Sequence, residues 1–269
     1  MSVITFLTDF GLEDDFVGTC HGVIARIAPD VRVIDITHGI RPGRVLQGAL
    51  MLANTLAYMP VGVHLAVVDP GVGGQRRPLA LRDASGRLYV GPDNGLLLPA
   101  AERYGGVDEA HVLANPAYAL EVVSRTFHGR DLFSPAAAHL ALGVSLGELG
   151  PSIDPDALVH LDLPAAEHRA DGIHATVLAV DRFGNAALNL TRDDFEQAGI
   201  VPGTTVEVDA AGNRYFAVAA RTFADAREGD LILYEDSYRS LAIAVSRGSA
   251  ASLLGLDEGS KLRLHVDAP

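Results

Sequence analysis

Cysteine is nearly absent from this sequence, and so is any surplus of positive charge. The single Cys20 cannot close a disulfide within the chain. With no signal-peptide pattern ahead of the first apolar run, the expected setting is a reducing cytoplasm. Lys and Arg number 21 against 34 Asp and Glu, a formal net charge of -13. Such a surface repels a phosphate backbone, so nucleic acid is not an expected partner, whereas a cationic small molecule is drawn toward it. An unbroken apolar span of bilayer length is also lacking. Residues 45–68 carry no formal charge, but Asn54 and Pro60 interrupt them and the two halves differ in period. That predicts a buried helix, a turn and a strand rather than a membrane span.

Several sequence signatures of chemistry are missing as well. There is no Gly-x-Ser-x-Gly elbow to make a nucleophile of Ser124 or Ser134. The run Gly71-Val-Gly-Gly74 has neither the Lys-Ser/Thr of a phosphate loop nor the spacing of a dinucleotide fingerprint. A metal centre built from His38, Asp69, His128 and Asp131 finds no His-x-x-x-His or Cys-x-x-Cys spacing to support it, so no metal is expected.

What is present is a 269-residue chain, 48% hydrophobic and 20% charged, enough for a sizeable buried core in one large domain or two modest ones. Its most informative stretch is His64-Leu-Ala-Val-Val-Asp-Pro-Gly-Val-Gly-Gly-Gln-Arg-Arg77. The apolar run ends at Asp69, and Pro70, Gly71, Gly73 and Gly74 break it, placing a carboxylate at the carboxyl end of a buried strand. In open α/β sheets that is where ligands bind. Arg76 and Arg77 follow the turn closely enough for a guanidinium to fold back on Asp69. The same residues fit an ordinary tight turn with a capped carboxylate.

The pattern recurs along the first half. Residues 3–7 form a strand ending in Thr8-Asp-Phe-Gly11, and apolar residues spaced three and four apart predict a helix from Phe16 to Ile27, stopped by Pro29. Cys20 falls on that helix's core face. A strand over 31–36, a helix over 44–59 and the strand ending at Asp69 complete three strand–helix alternations. These argue for a parallel sheet with right-handed crossovers. Further strands are predicted at 79–81, 88–90 and 110–113, with a short helix at 96–104. An alanine-rich helix is predicted at 132–142. Just before it, Thr126-Phe-His-Gly-Arg-Asp131 offers His128 either as a catalytic group or as part of a capping cluster with Asp131 as N-cap. The acidic, proline-bearing segment 151–169 reads as a linker. Beyond it, seven short strand-like runs between 173 and 265 lack intervening helices and suggest a small barrel or sandwich. The expectation is an α/β domain with a mainly parallel sheet (1–160) and a smaller all-β, barrel-like domain (170–269). In the second, Val180-Asp-Arg-Phe-Gly-Asn185 and Glu235-Asp-Ser-Tyr238 fit either a binding surface or β-turn chemistry.

Six ordered clusters, Thr8-Asp-Phe-Gly11, Asp35-Ile-Thr-His38, Val67-Val-Asp-Pro-Gly-Val-Gly73, Gly91-Pro-Asp-Asn-Gly95, Thr126-Phe-His-Gly-Arg-Asp131 and Asp181-Arg-Phe-Gly-Asn185, resemble one family. It is the S-adenosyl-L-methionine hydrolases (adenosine-forming), also called SAM hydroxide adenosyltransferases, relatives of fluorinase and chlorinase. The resemblance spans nearly the whole chain. It implies hydrolysis of S-adenosyl-L-methionine to adenosine and L-methionine, with Asp69, Arg76 and His128 as the catalytic residues. It further implies Asp9 on the ribose hydroxyls, Asp14 and Asp181 facing the methionine ammonium, Ser237 at its carboxylate, Asn185 at the adenine edge, and Phe183 and Phe223 sandwiching the adenine ring. It implies a small-molecule substrate, no cofactor, and a homotrimer whose sites lie between the N-terminal domain of one subunit and the C-terminal domain of the next. Ser237 is followed by Tyr238 where the halogenating relatives carry an arginine, and the segment after Gly95 has no room for the extra fluorinase loop. Both departures favour the hydrolase branch over a halide adenosyltransferase making 5′-chloroadenosine; a non-catalytic adenosine- or S-adenosyl-L-methionine-binding module is the other alternative.

Overall fold

A computed structural model describes residues 3–265, so the last four residues of the expected second domain lie outside the described residues. The chain divides into two compact units, Met1–Leu161 and Asp162–Pro269.

The first unit opens with strand β1 (Val3–Thr8), helix α1 (Phe16–Ile27), β2 (Arg32–Thr37), α2 (Val45–Thr55) and β3 (Val63–Val67). It continues through β4 (Pro78–Asp83), β5 (Leu88–Pro92), α3 (Leu98–Glu102), β6 (Val107–Val112), α4 (Ser134–Ala141) and α5 (Leu146–Leu149). Six strands form one sheet in the order β2-β1-β3-β5-β4-β6. The expectation of a mainly parallel sheet is corrected here, because the sheet is mixed. β2, β1, β3 and β5 run parallel, but β4 pairs antiparallel with both β5 and β6. The reason is local. Asp83 and Leu88 are joined by four residues, too few for a crossover, and the turn is fixed by Asp83 Oδ1 accepting from the backbone of Ser85 and Arg87.

Two buried clusters cover the two faces of this sheet. On one, Ile4, Phe6, Val63, Leu65 and Val67 meet Val17, Cys20 and Ile24 of α1 and Ala136–Ala138 of α4. On the other, Leu7, Ala66 and Val68 meet Leu52 of α2 and Ala100 of α3. Alternate residues of β3 thus enter opposite cores, which is why it reads as a continuous apolar run. Since β2 and β3 lie on opposite sides of β1, the chain reverses its direction of travel across the sheet at β1 and β3. Ligand crevices of open α/β sheets form at such switch points.

The second unit holds β7 (Glu167–Arg169), β8 (Gly172–Val180), β9 (Ala186–Leu188), α6 (Arg192–Gln197), β10 (Thr205–Ala210), β11 (Asn213–Ala219), β12 (Leu231–Glu235), β13 (Leu241–Val245), α7 (Ala250–Leu254) and β14 (Lys261–His265). Seven strands close into a barrel in the order β8-β9-β13-β12-β11-β10-β14, with β14 returning to β8. Alternate residues such as Ile173, Ala175 and Val177, or Leu231 and Leu233, fill its interior. The unit is not all-β, since α6 and α7 interrupt the strands. The signal for α6 is present in Thr191-Arg-Asp-Asp194, a capping box in which Thr191 and Asp194 each bond the other's backbone N–H. Among the described residues, no helix is long and apolar enough to cross a membrane.

Candidate active site

The parallel pairing of β1 with β3 sets Thr8 opposite Val67. The chain therefore leaves both strands at the same end, and Asp9 and Asp69 emerge side by side. Asp9 Oδ2 accepts the Gly43 N–H at 2.8 Å. Burial raises the Asp9 pKa above the ordinary carboxylate value, the Gly43 bond opposes that, and the charge of Asp69 adds to it. The neighbouring turn Gly91–Gly95 is tied to the same strand end, with Asn94 Nδ2 donating to the Val68 carbonyl at 2.8 Å.

After Asp69 the glycine turn folds the chain back on itself. Arg76 Nε donates to both Asp69 oxygens at 3.0 Å and its Nη2 donates to Oδ2 at 2.5 Å. The two side chains are 10% and 6% exposed, so the pair is shielded from water. Gly73 makes the fold-back possible. Its φ is +74°, and a Cβ there would stand 2.2 Å from the Arg125 carbonyl oxygen. The turn thus lies directly against the segment that leads to His128. Arg77, the other basic residue after the turn, faces away from Asp69 and donates to Asp93 Oδ2 at 2.6 Å.

Arg76 also reaches His128, 52 positions along the chain, donating from Nη2 to Nδ1 at 2.7 Å. A guanidinium can only donate, so Nδ1 must carry the lone pair and the neutral imidazole holds its proton on Nε2. Burial lowers the His128 pKa below the ordinary value, and the Arg76 cation lowers it further. Asp69, Asp131 and the Ser124 carbonyl pull the other way. The three residues brought together thus form a row with the arginine in the middle.

Asp131 is not the N-cap of the alanine-rich helix. It lies within a π-helical turn (Gly129–Phe133) that precedes α4, and it is fully buried. Its Oδ2 accepts the Ser124 N–H at 2.8 Å and its Oδ1 accepts Arg130 Nε at 2.6 Å. These bonds anchor the loop that presents His128. Single π-helical turns of this kind are frequent at functional sites. The set His38, Asp69, His128 and Asp131 does not assemble into a ligand group; among the described residues the cluster with metal-ligand spacing is His21, Asp35 and His38. Asp14 is exposed in the loop before α1.

The second unit gathers its own candidates at strand ends. Asp181 Oδ1 accepts the N–H groups of Phe183 and Asn185 at 2.8 and 2.9 Å, and Oδ2 accepts Asn185 Nδ2 at 2.8 Å. This β-turn holds Phe183 outward at 70% exposure. Phe223 is partly exposed and packs against Tyr234 with ring centroids 5.0 Å apart. Ser237 is exposed in a turn organised by Asp236, whose Oδ1 accepts from Tyr238 and Ser240.

The family model for the SAM hydroxide adenosyltransferase N-terminal domain matches residues 4–150, and that for the C-terminal domain matches residues 175–263. The chain belongs to the SAM hydroxide adenosyltransferase family. It is 49% identical over 261 residues to an (R)-S-adenosyl-L-methionine hydrolase of Salinispora arenicola, covering 97% of each chain. To a fluorinase of Nocardia brasiliensis it is 30% identical over 291 residues, covering 98% of this chain and 97% of that one. The crystal structure of an uncharacterized conserved protein from Thermotoga maritima superposes with a TM-score of 0.90 at 34% identity, covering 97% of this chain and 100% of that one. The supporting roles of Gly43, Ser124 and Arg130 are not indicated by the sequence pattern. For Ser124 and Arg130, the carboxylate of Asp131 next to Arg130 was the available signal.

Proposed function

We propose that this chain hydrolyses S-adenosyl-L-methionine to adenosine and L-methionine, by attack of water on C5′ in line with the sulfonium. Methionine leaves as a neutral thioether, so no general acid is needed. The protein must instead supply a fixed water position and a proton acceptor. The observation that carries this reading is the Asp69–Arg76–His128 row at the switch point of the sheet. His128, neutral with its proton on Nε2, shares that proton between the Ser124 carbonyl and the water oxygen and so fixes the water. Asp69 accepts the proton as the C5′–O bond forms. Arg76 holds both groups in register. His128 is thus a water anchor rather than the base, and Asp69 acts on the water rather than on the imidazole.

The remaining roles belong to the same proposal. Asp9, with two oxygens and one of them on Gly43, takes the ribose hydroxyls. Asp14 and Asp181 face the ammonium, and Ser237 meets the carboxylate. Asn185 keeps its carbonyl oxygen for the adenine amino group, and Phe183 and Phe223 flank the ring. No cofactor takes part. We further propose a cytoplasmic homotrimer with sites shared between subunits, on the strength of the family resemblance alone. A halide adenosyltransferase is the rival enzyme reading, and a buried carboxylate beside the nucleophile would repel chloride. Incubating the protein with S-adenosyl-L-methionine in high chloride separates the readings: adenosine supports hydrolysis, 5′-chloroadenosine the rival, and unchanged substrate a binding module.

A further inference from the structure

At the β2 edge of the first sheet, a second group of side chains plays no part in the proposed reaction. His21 of α1, Asp35 of β2 and His38 just beyond it each place one ligand-capable atom within 4.8 Å of the others. His21 Nε2 is 2.9 Å from Asp35 Oδ1, and His38 Nε2 is 3.2 Å from the same oxygen. Around a divalent ion bound at about 2.0–2.2 Å by nitrogen and oxygen, adjacent ligand atoms stand roughly 2.9–3.4 Å apart at octahedral or tetrahedral angles.

A surface ion pair between His21 and Asp35 would explain two of these residues but not the third. The His38 side chain is only 3% exposed, and although Nε2 is close to Asp35 it is not aligned to hydrogen-bond with it. Among the described residues this buried nitrogen has no hydrogen-bond partner, a condition native structures rarely leave in place. Its other nitrogen is held, with Nδ1 2.8 Å from Thr8 Oγ1. When that contact is a donation from Nδ1–H, the Nε2 lone pair points toward a carboxylate oxygen, an arrangement relieved by a cation between them. Phe6 braces both imidazoles edge-on, with centroids 4.8 Å from His38 and 5.8 Å from His21.

We propose that His21, Asp35 and His38 bind one divalent transition-metal ion of the zinc, cobalt and nickel class. Two imidazoles and one carboxylate suit these ions better than magnesium or calcium, and three protein ligands leave room for water. The Thr8 hydroxyl orients His38 from behind, as outer partners of metal-bound histidines do. The site ties α1 to the end of β2 and is independent of the hydrolytic reading.

The test uses the full chain, untagged and stripped with a chelator, titrated with Co²⁺ alone. One equivalent is expected to bind with visible d–d absorption, to be displaced by Zn²⁺, and to raise the melting temperature. His21→Ala and Asp35→Asn, both at partly exposed positions, should weaken binding by about 100-fold or more while the circular dichroism spectrum is unchanged. Thr8→Val removes no ligand and should weaken it by about 10- to 100-fold. No saturable Co²⁺ binding, or binding undiminished in His21→Ala and Asp35→Asn, would overturn the proposal.

Discussion

Arg76 donates to His128 Nδ1 at 2.7 Å from the same Nη2 that bonds Asp69. This single nitrogen links two groups that do not bond each other, and it sets their states together. The imidazole must be neutral to accept, and the carboxylate faces a cation whatever its other partners do. Arginine suits the position because its fork is rigid and permanently charged; a lysine could satisfy neither geometry with the same reach.

Asp69→Asn should leave substrate binding nearly intact while lowering kcat by roughly 10²- to 10⁴-fold, the usual worth of a positioned proton acceptor. The amide keeps the shape beside Arg76 and loses the proton affinity. Isothermal titration with substrate and single-turnover kinetics check the two halves, and undiminished turnover would remove Asp69 from the mechanism.

The rate should fall on the acid side as His128 takes up a proton. Its pKa lies below the ordinary 6.5, so kcat/KM should stay level through neutrality and decline only below that value. Protonation would replace the Nδ1 acceptor with a donor facing Arg76. Asp9 titrates too, with its pKa raised from 3.8. His128→Gln separates them: the pH–rate profile of that slower variant should lose the limb if His128 causes it and keep it if Asp9 does.

How much of this was legible in the sequence depended on distance along the chain. The Asp69 turn and the return of Arg76 could be read locally, since strand, breaker and arginine fall within a few residues. Arg77 looked equally able to reach Asp69, and only the tertiary position of Asp93 decides otherwise. His128 could not be placed beside Arg76 by periodicity, and the family resemblance alone indicated the pairing. The antiparallel edge escaped because β4 and β5 look alike whichever way they run. Asp131 resembled a helix cap because a π-helical turn has no sequence period distinct from the helix it enters.

Gly73→Ala should impair turnover by about 100-fold, the scale expected when a catalytic group moves by about 1 Å. A Cβ at φ +74° meets the Arg125 carbonyl at 2.2 Å, so the turn or the His128 segment must shift. The global cost should exceed the roughly 1–2 kcal/mol of a left-handed alanine alone, because the clash is with backbone rather than with a flexible side chain. Denaturant melts and kcat measured together check this, and unchanged kcat would show that the close approach does not matter to the site.

Stability should fall with acid through His64. This residue is fully buried, its Nδ1 is 2.8 Å from Thr5 Oγ1, and burial pushes its pKa from 6.5 to about 4. The unfolded chain binds the proton first, so the contribution is fully present above pH 6.5 and is lost as the pH falls toward 4. That window is worth about 3 kcal/mol. His64→Asn, though less stable overall, should show a flatter stability profile over it. An equally steep profile would assign the effect to other groups.

The most direct test of the central claim is a single-turnover reaction with S-adenosyl-L-methionine in water enriched in the heavy oxygen isotope, followed by mass spectrometry of the products. Equal amounts of adenosine and L-methionine are expected, with the heavy oxygen in the 5′-hydroxyl of adenosine. Intact substrate, a halogenated nucleoside, or adenosine without the label would contradict it.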